Sequence, residues 1–294
     1  MYHGYCLGSI IDANLIIRNP TFAQLILMLS LSKEKTILVS AAILVVLALA
    51  VQYSGIFPPQ VYTGEIGAEG INVTLLTNAG IMIEADEMRI YIDPIDLPNE
   101  YRDKPADAIL ITHDHGDHYQ FATVNMLQKD GTLNVFPAIM DTEIARHDGL
   151  GVVPEDEFEI GDIKVTAFYM YTYSPVPDTP ASHPRESQYT SYIVDIGGFT
   201  IFHAGDSKNL DEYEELTGTI NVAMLPLGPG CQTMYETEVV NVVQLIEPEY
   251  FIPIHFTIGA NDQFVRSYGR SIEATTECEI CNLDHFTTNN FQTQ

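Results

Sequence analysis

Residues 107–118 read DAILITHDHGDH, a continuous apolar run that ends in three histidines and two aspartates within six positions. A short apolar run with no polar face is read as a strand covered on both sides. Any fold for this chain must therefore bring a buried strand end to a point where imidazoles and carboxylates meet. Just past a strand end the backbone is still extended, so His113 and His115 project the same way and can converge on one cation. Gly116 lets the chain turn. Asp117 and His118 then open the next helix, where they can address a second cation nearby. Mixed imidazole and carboxylate donors suit Zn2+, and Mn2+ or Fe2+ can use them as well.

The surrounding sequence predicts the frame for this cluster. INVTLL (71–76), IMIEA (81–85) and RIYIDP (89–94) are β-rich runs separated by TNAG and DEM, and read as successive antiparallel strands. Residues 119–131 read as a helix ended by Gly131. Further strands are expected over 163–171, 191–196, 199–204, 221–227 and 249–256, with a helix over 236–248 that stops at Pro248. Strands arriving in series with helices between and after them predict an α/β (α+β) fold of two sheets covered by helices.

Composition narrows the partners. The 294 residues hold 40 acidic and 13 basic side chains, a formal net charge of −27. Such a chain repels nucleic acid and anionic surfaces at long range, which argues against a polynucleotide partner and for a small-molecule substrate. The acids are scattered rather than run together, which suits a surface adapted to high salt. Bound metal can reverse the charge locally, so the composition weakens a nuclease reading without removing it. Cys6, Cys231, Cys278 and Cys281 make no disulfide framework for a chain of this length. The CEIC pair lacks two further ligands, with His285 one candidate, and is read as having no chemical role.

Residues 36–53, TILVSAAILVVLALAVQY, carry no charge, and about 18 such residues meet the lower limit for a membrane-spanning helix. Two readings stand. Lys33 and Lys35 before the run and ALA at 48–50 fit a cleaved signal peptide, the more so with a start at Met28. The long segment ahead of the run favours an uncleaved anchor. Arg18, Lys33 and Lys35 precede it and no basic residue follows closely, so the expected orientation is N-terminus inside and the rest outside. The expected division is a cytoplasmic segment over 1–35, an N-terminal hydrophobic helix as anchor or signal over 36–56, a linker over 57–70, a globular domain over 71–270 and a tail over 271–294.

His113, His115, Asp117 and His118 match the HxHxDH signature, and here the chain resembles the metallo-β-lactamase superfamily. IFHAGDS (201–207) is similar to the family's segment for a metal-bridging aspartate, which implies Asp206. IPIHF (252–256) is similar to the segment for the last histidine ligand, which implies His255, and YIDP (91–94) implies Asp93 as a support for the ligands. TNAG, YIDP, HAGDS, LPLG and PIHF together resemble the branch that includes L-ascorbate-6-phosphate lactonase and metal-dependent hydrolases of unassigned substrate. The resemblance runs from about Ile71 to about Gly269 and implies a four-layer αββα sandwich with a two-cation site.

One element departs. The family places a further histidine after the strand that here reads KVTAFYMYTYS, and Tyr169, Met170 and Tyr171 stand there instead. The nearest histidine downstream is His183, in a proline-rich loop. It is the expected substitute, either as a ligand of the first ion or against the substrate. A solvent-exposed loop histidine is the alternative. His203, inside a strand, is read as packed and hydrogen-bonded; His147 is expected to be exposed, and Arg185 to contact an anionic substrate or make a surface ion pair.

The resemblance implies a metal-dependent hydrolase: two divalent ions share a water, lower its pKa and yield hydroxide that attacks a small ester, lactone or phosphodiester, with Asp117 orienting it. No GxSxG elbow offers a serine route. A membrane-anchored phosphodiesterase of lipid headgroups and a non-catalytic metal-binding domain are the alternatives.

Overall fold

The computed structural model describes residues 70–174, 176–228 and 230–292. The expected N-terminal segment, the apolar helix over 36–56 and nearly all of the linker lie outside these residues. Among the described residues no helix is long and apolar enough to cross a membrane.

The first half of the domain opens with an antiparallel meander of β1 (Ile71–Leu75), β2 (Ile81–Ala85) and β3 (Met88–Ile92). β4 (Ala108–Leu110), β5 (Leu133–Pro137) and β6 (Leu150–Val152) then add in parallel, with α1 (Phe121–Met126) and α2 (Asp141–His147) between them. The second half repeats the plan. β7 (Glu157–Ile160), β8 (Ile163–Tyr169), β9 (Thr190–Ile196) and β10 (Phe199–His203) are antiparallel neighbours. β11 (Val222–Pro226), β12 (Tyr250–Ile254) and β13 (Glu279–Ile280) come next in parallel, joined by α3 (Glu236–Ile246) and α4 (Ala260–Thr275). β14 (Thr287–Phe291) returns to pair with β1. Each sheet has seven strands, ordered β14-β1-β2-β3-β4-β5-β6 and β13-β12-β11-β10-β9-β8-β7.

Three apolar clusters lie at the three interfaces of an αββα sandwich. Ile71, Val73, Leu75, Ala108 and Leu110 meet Val222, Met224, Ile252 and Ile254 between the sheets. Ile109 of β4 points the other way, into a cluster with Val124, Leu127 and Phe136. Ala223, Leu225 and Phe251 likewise turn to Val239, Val243 and Phe264 on the helices behind the second sheet. The central strands are apolar on both faces because both faces are covered.

Two expected boundaries move. The helix expected over 119–131 is only α1, because the Leu127 amide is shared between the carbonyls of Thr123 and Val124 and the Gln128 side chain then caps Val124. The described part of the expected tail over 271–294, residues 271–292, packs as part of the domain. α4 crosses residue 270, and Cys278 and Cys281 are buried around β13, where burial pushes their thiols up to about 12 and about 11. On β14, Phe291 lies opposite Ile71 and packs on Phe199 and Tyr250, ring centroids 5.7 and 4.8 Å away. Phe291→Ala is expected to cost about 3–5 kcal/mol in urea unfolding, as for large aromatic deletions in a core; a loss under about 1 kcal/mol would mark the chain end as a detachable tail.

Candidate metal centre

The parallel strands of both sheets end on one side of the sandwich, and the site is built from the loops that leave those ends. Outside the carboxyl ends of such strands loops can converge without breaking the sheet. β3 delivers Asp93, β4 delivers residues 112–118, β10 delivers Asp206, and β12 delivers His255. Backbone turns at these points are sharp. Asp93, Gly205 and His255 have φ of +49°, +57° and +51°, and Asn78 in the β1–β2 turn has +58°. Left-handed backbone costs a non-glycine residue about 1–2 kcal/mol, and three such residues, Asn78, Asp93 and His255, stand at this end of the fold. At 205 a side chain is excluded outright, since a Cβ there would lie 2.7 Å from the Met170 sulfur and 3.1 Å from Thr112.

Asp93 organises the first ligands from behind. One carboxylate oxygen accepts the Thr112 amide at 2.8 Å; the other accepts the Thr112 hydroxyl at 2.6 Å and His118 Nδ1–H at 2.7 Å. With its proton committed to Asp93, the Thr112 hydroxyl accepts from His113 Nδ1, 3.0 Å away. Both rings are thereby fixed in the tautomer that leaves Nε2 as a bare donor, as metal-ligating histidines require.

The expected residues come together in three overlapping sets, within each of which the donor atoms lie within 4.8 Å of one another: His113, His115 and His183; His113, His118 and Asp206; Asp117, His118 and His255. Asp206 joins them. Its Oδ1 is 3.1 Å from His118 Nε2 and 3.3 Å from His255 Nε2, while its Oδ2 is 3.8 Å from His183 Nε2. Asp117 Oδ2 is 3.5 Å from His255 Nε2. Asp117 is half-exposed, and Asn78 Nδ2 donates to its carbonyl at 3.0 Å.

His183 is fully buried in this group, its Nε2 3.2 Å from His115 Nδ1. The strand that lacks the family's histidine supplies the means. Thr172, just beyond β8, donates its amide to the His183 carbonyl at 2.8 Å and accepts the His183 amide on its hydroxyl at 3.0 Å. The three residues at the departing position point elsewhere. Met170 packs under Gly205, and Tyr171 donates to Glu212 at 2.9 Å. Arg185 pairs with Glu212 at 2.6 Å and stacks over Tyr169 and Tyr171, so it is the ion pair of the two expected roles. Gln232 ties the same loop from the other side, accepting the Ser182 amide and donating to the Pro180 carbonyl.

Charge and burial single out the centre. Among the described residues, eight buried side-chain polar atoms have no hydrogen-bond partner, and six belong to His113, His118, His183, Asp206 and His255. Native proteins leave few such atoms, and the gathering of His113 Nε2, His118 Nε2, His255 Nε2 and both Asp206 oxygens at one point fits a cation. His118 Nε2 and Asp206 Oδ1 are close but not aligned on each other, as donors to a common ion would be. Burial works to raise the Asp206 carboxyl, yet His118, His255 and His183 outweigh it and hold the group below its ordinary value. Burial likewise works to lower His118, and the carboxylates of Asp206 and Asp93 overcome it and raise the ring well above an ordinary imidazole. His113 and His183 are lowered by burial, His183 to about 4, and so are neutral imidazoles at pH 7. The hydrogen bond to His255 holds Asp117 ionised. An ionised carboxylate as deeply buried as Asp206 requires positive charge beside it, from a proton or a metal ion.

His203 and His147 stand apart from the centre. His203 is packed as expected, donating to the Ala79 carbonyl at 2.7 Å and accepting the Gly205 amide. His147, expected exposed, is half-buried: it stacks on Phe136 and bonds the Tyr119 hydroxyl. Thr112 and Asn78 support the site without having been singled out in the sequence. Asn78 lies within TNAG and Thr112 just before HxHxDH, but their roles depend on partners far along the chain.

Asp93→Asn keeps the shape but places an amide where two donors now point, so zinc affinity should fall about 10–100-fold in a chelator competition assay. An unchanged affinity would show that Asp93 does not set the ligand rings.

The model of the "Beta-lactamase superfamily domain" matches residues 72–255. A metal-dependent hydrolase of Pyrococcus furiosus is 31% identical over 210 residues, 63% of this chain and 84% of that protein. One of Pyrococcus horikoshii is 29% identical over 233 residues, 69% of this chain and 94% of that protein. Among solved structures, Igni18, a metallo hydrolase of Ignicoccus hospitalis, superposes with a TM-score of 0.62 at 20% identity, over 76% of this chain and 99% of its own. Its likeness is one of fold. With the family match spanning most of the described domain and the HxHxDH residues gathered at its strand ends, the chain belongs to the metallo-β-lactamase superfamily.

Proposed function

We propose that this protein is a metal-dependent hydrolase that holds two divalent ions, Zn2+ first among them, and cleaves a small ester or lactone, with a phosphodiester as the variant chemistry. The observation that carries the reading is Asp206, whose two oxygens face different histidines: Oδ2 faces His183, beside His113 and His115, and Oδ1 faces His118 and His255. A carboxylate so placed would offer one oxygen to each of two ions. His113, His115 and His183 would hold one ion and Asp117, His118 and His255 the other. The relatives of Pyrococcus that span most of the domain carry the name metal-dependent hydrolase, which supports the same reading.

When bound, such ions lower the pKa of water and polarise the oxygen of a substrate carbonyl or phosphoryl group. The residues of the chain supply the rest. Asp93, through Thr112 and His118, keeps the ligand rings from rotating. Asp117, ionised and half-exposed, would orient a water by accepting its hydrogen bond, and Asn78 fixes its backbone. Hydrolysis of an ester then joins the water oxygen to the carbonyl carbon, breaks the bond to the alkoxy oxygen, and returns a proton to the departing alcohol. In this reading the domain is held outside the cytoplasm by the apolar run over 36–56, a placement that rests on that run and its flanking charges alone.

Purified full-length protein, reconstituted with zinc, is expected to hold about two ions per chain by elemental analysis, as two-metal hydrolytic sites do. Asp206→Ala should lower that content and abolish ester hydrolysis. His183→Ala should remove about one ion; unchanged metal content and activity in that variant would contradict its place in the first site.

A further inference from the structure

A cleft of about 640 Å3 opens beside the centre, with Asn78 and His255 belonging to both. That size suits a small organic ligand, for which pockets run to about 300–1,000 Å3. Its walls carry three aromatic rings, Tyr235, Phe256 and Tyr268, and one ionisable carboxylate, Glu236. Among the described residues that line it there is no lysine or arginine.

The basic residues nearest the ligands in sequence are already engaged. Lys208, two residues after Asp206, is buried with its Nζ 2.7 Å from Glu238 and 2.8 Å from the Thr233 carbonyl. Arg185, two residues after His183, is held by Glu212 and stacked on Tyr171. Glu236 takes part in none of the ion pairs among the described residues. It stands in the first turn of α3, where a negative charge is favoured.

We propose that this cleft receives an uncharged or cationic group of the substrate, attached to the ester or lactone carbonyl that reacts at the centre, and rejects substrates carrying a carboxylate or phosphate in that part. The inference rests on the hydrolytic reading above. A carboxylate or phosphate entering the cleft gives up hydration and meets no unpaired lysine or arginine among the described residues, since Lys208 Nζ, 4.4 Å from the centre of the Tyr235 ring, is already paired with Glu238. It also meets Glu236 and, at longer range, a chain of net charge −27. A quaternary ammonium meets Glu236 and aromatic faces, the surroundings that recognise such cations. A neutral alkyl group is accepted by the rings alone. Within the chemistry of the centre, this favours plain esters and lactones over sugar phosphates and phosphodiesters with a charged remote group.

The zinc-loaded full-length protein is to be assayed on three acetate esters matched in size: 3,3-dimethylbutyl acetate, acetylcholine, and an ester with a carboxylate in the same place. The kcat/KM for the anionic ester is expected to be at least about tenfold below the other two. Glu236→Lys should lower the value for acetylcholine and raise that for the anionic ester, with Glu236→Gln in between and metal content unchanged. An anionic ester cleaved as well as the neutral one, or a ranking that Glu236→Lys leaves unaltered, overturns the inference while leaving hydrolysis standing. Turnover of none of the three by fully metallated protein overturns the hydrolytic reading and this inference with it.

Discussion

Asp206 is an ionised carboxylate buried at the seam between two sheets, and the end of the sandwich is organised around its charge. Charge in such a place is tolerated only where opposite charge and directed donors meet it. The histidines of β4's loop come from one sheet and His255 and Asp206 from the other, so the charge is met only when both halves of the chain are docked. The site is therefore a product of the sheet packing rather than of any one loop.

The seam is locked by hydrogen bonds that cross between the sheets close to the ligands. The Tyr192 hydroxyl donates to the Ile111 carbonyl, the Thr190 amide to Thr112, His203 to Ala79, and the His255 amide to Asn78. Two of them act on a ligand directly, since Thr112 adjoins His113 and His255 is itself in the ligand set. The left-handed backbone at Asn78, Asp93, Gly205 and His255 is the strain these bonds hold in place. The network also explains why His203 is not a ligand: its two nitrogens are spent on Ala79 and Gly205, which sets the turn that presents Asp206.

Much of this was legible in the sequence, unevenly. The central strands were readable because burial on both faces leaves unbroken apolar runs, as in AIL of β4 and VAMLP of β11. β14 reads TTNNF, with one apolar residue to mark it, and its pairing with β1 depends on a contact made across more than 200 residues. α4 buries Phe264 and Ile272, eight residues apart, amid polar positions, too sparse a stripe to stand out. In the site, the four residues of HxHxDH are local and carry their own geometry. Asp93, Asp206 and His255 were identified through family resemblance, because convergence from separate strands leaves no local trace. His183 could only be named as the nearest histidine to a missing one. Its burial depends on the Thr172 pairing and on Gln232, neither of which has a motif. The cleft was not legible at all, since Asn78, Glu236, Phe256 and Tyr268 meet only in the fold.

Asp206 is proposed to lie between two cations held by separate histidine sets. Anomalous diffraction from a crystal of the zinc-reconstituted protein, collected on both sides of the zinc edge, tests it most directly. Two zinc peaks are predicted, one among His113, His115 and His183 and one among Asp117, His118 and His255, with Asp206 between them. A single peak in fully metallated protein, or two peaks not joined by Asp206, would contradict it.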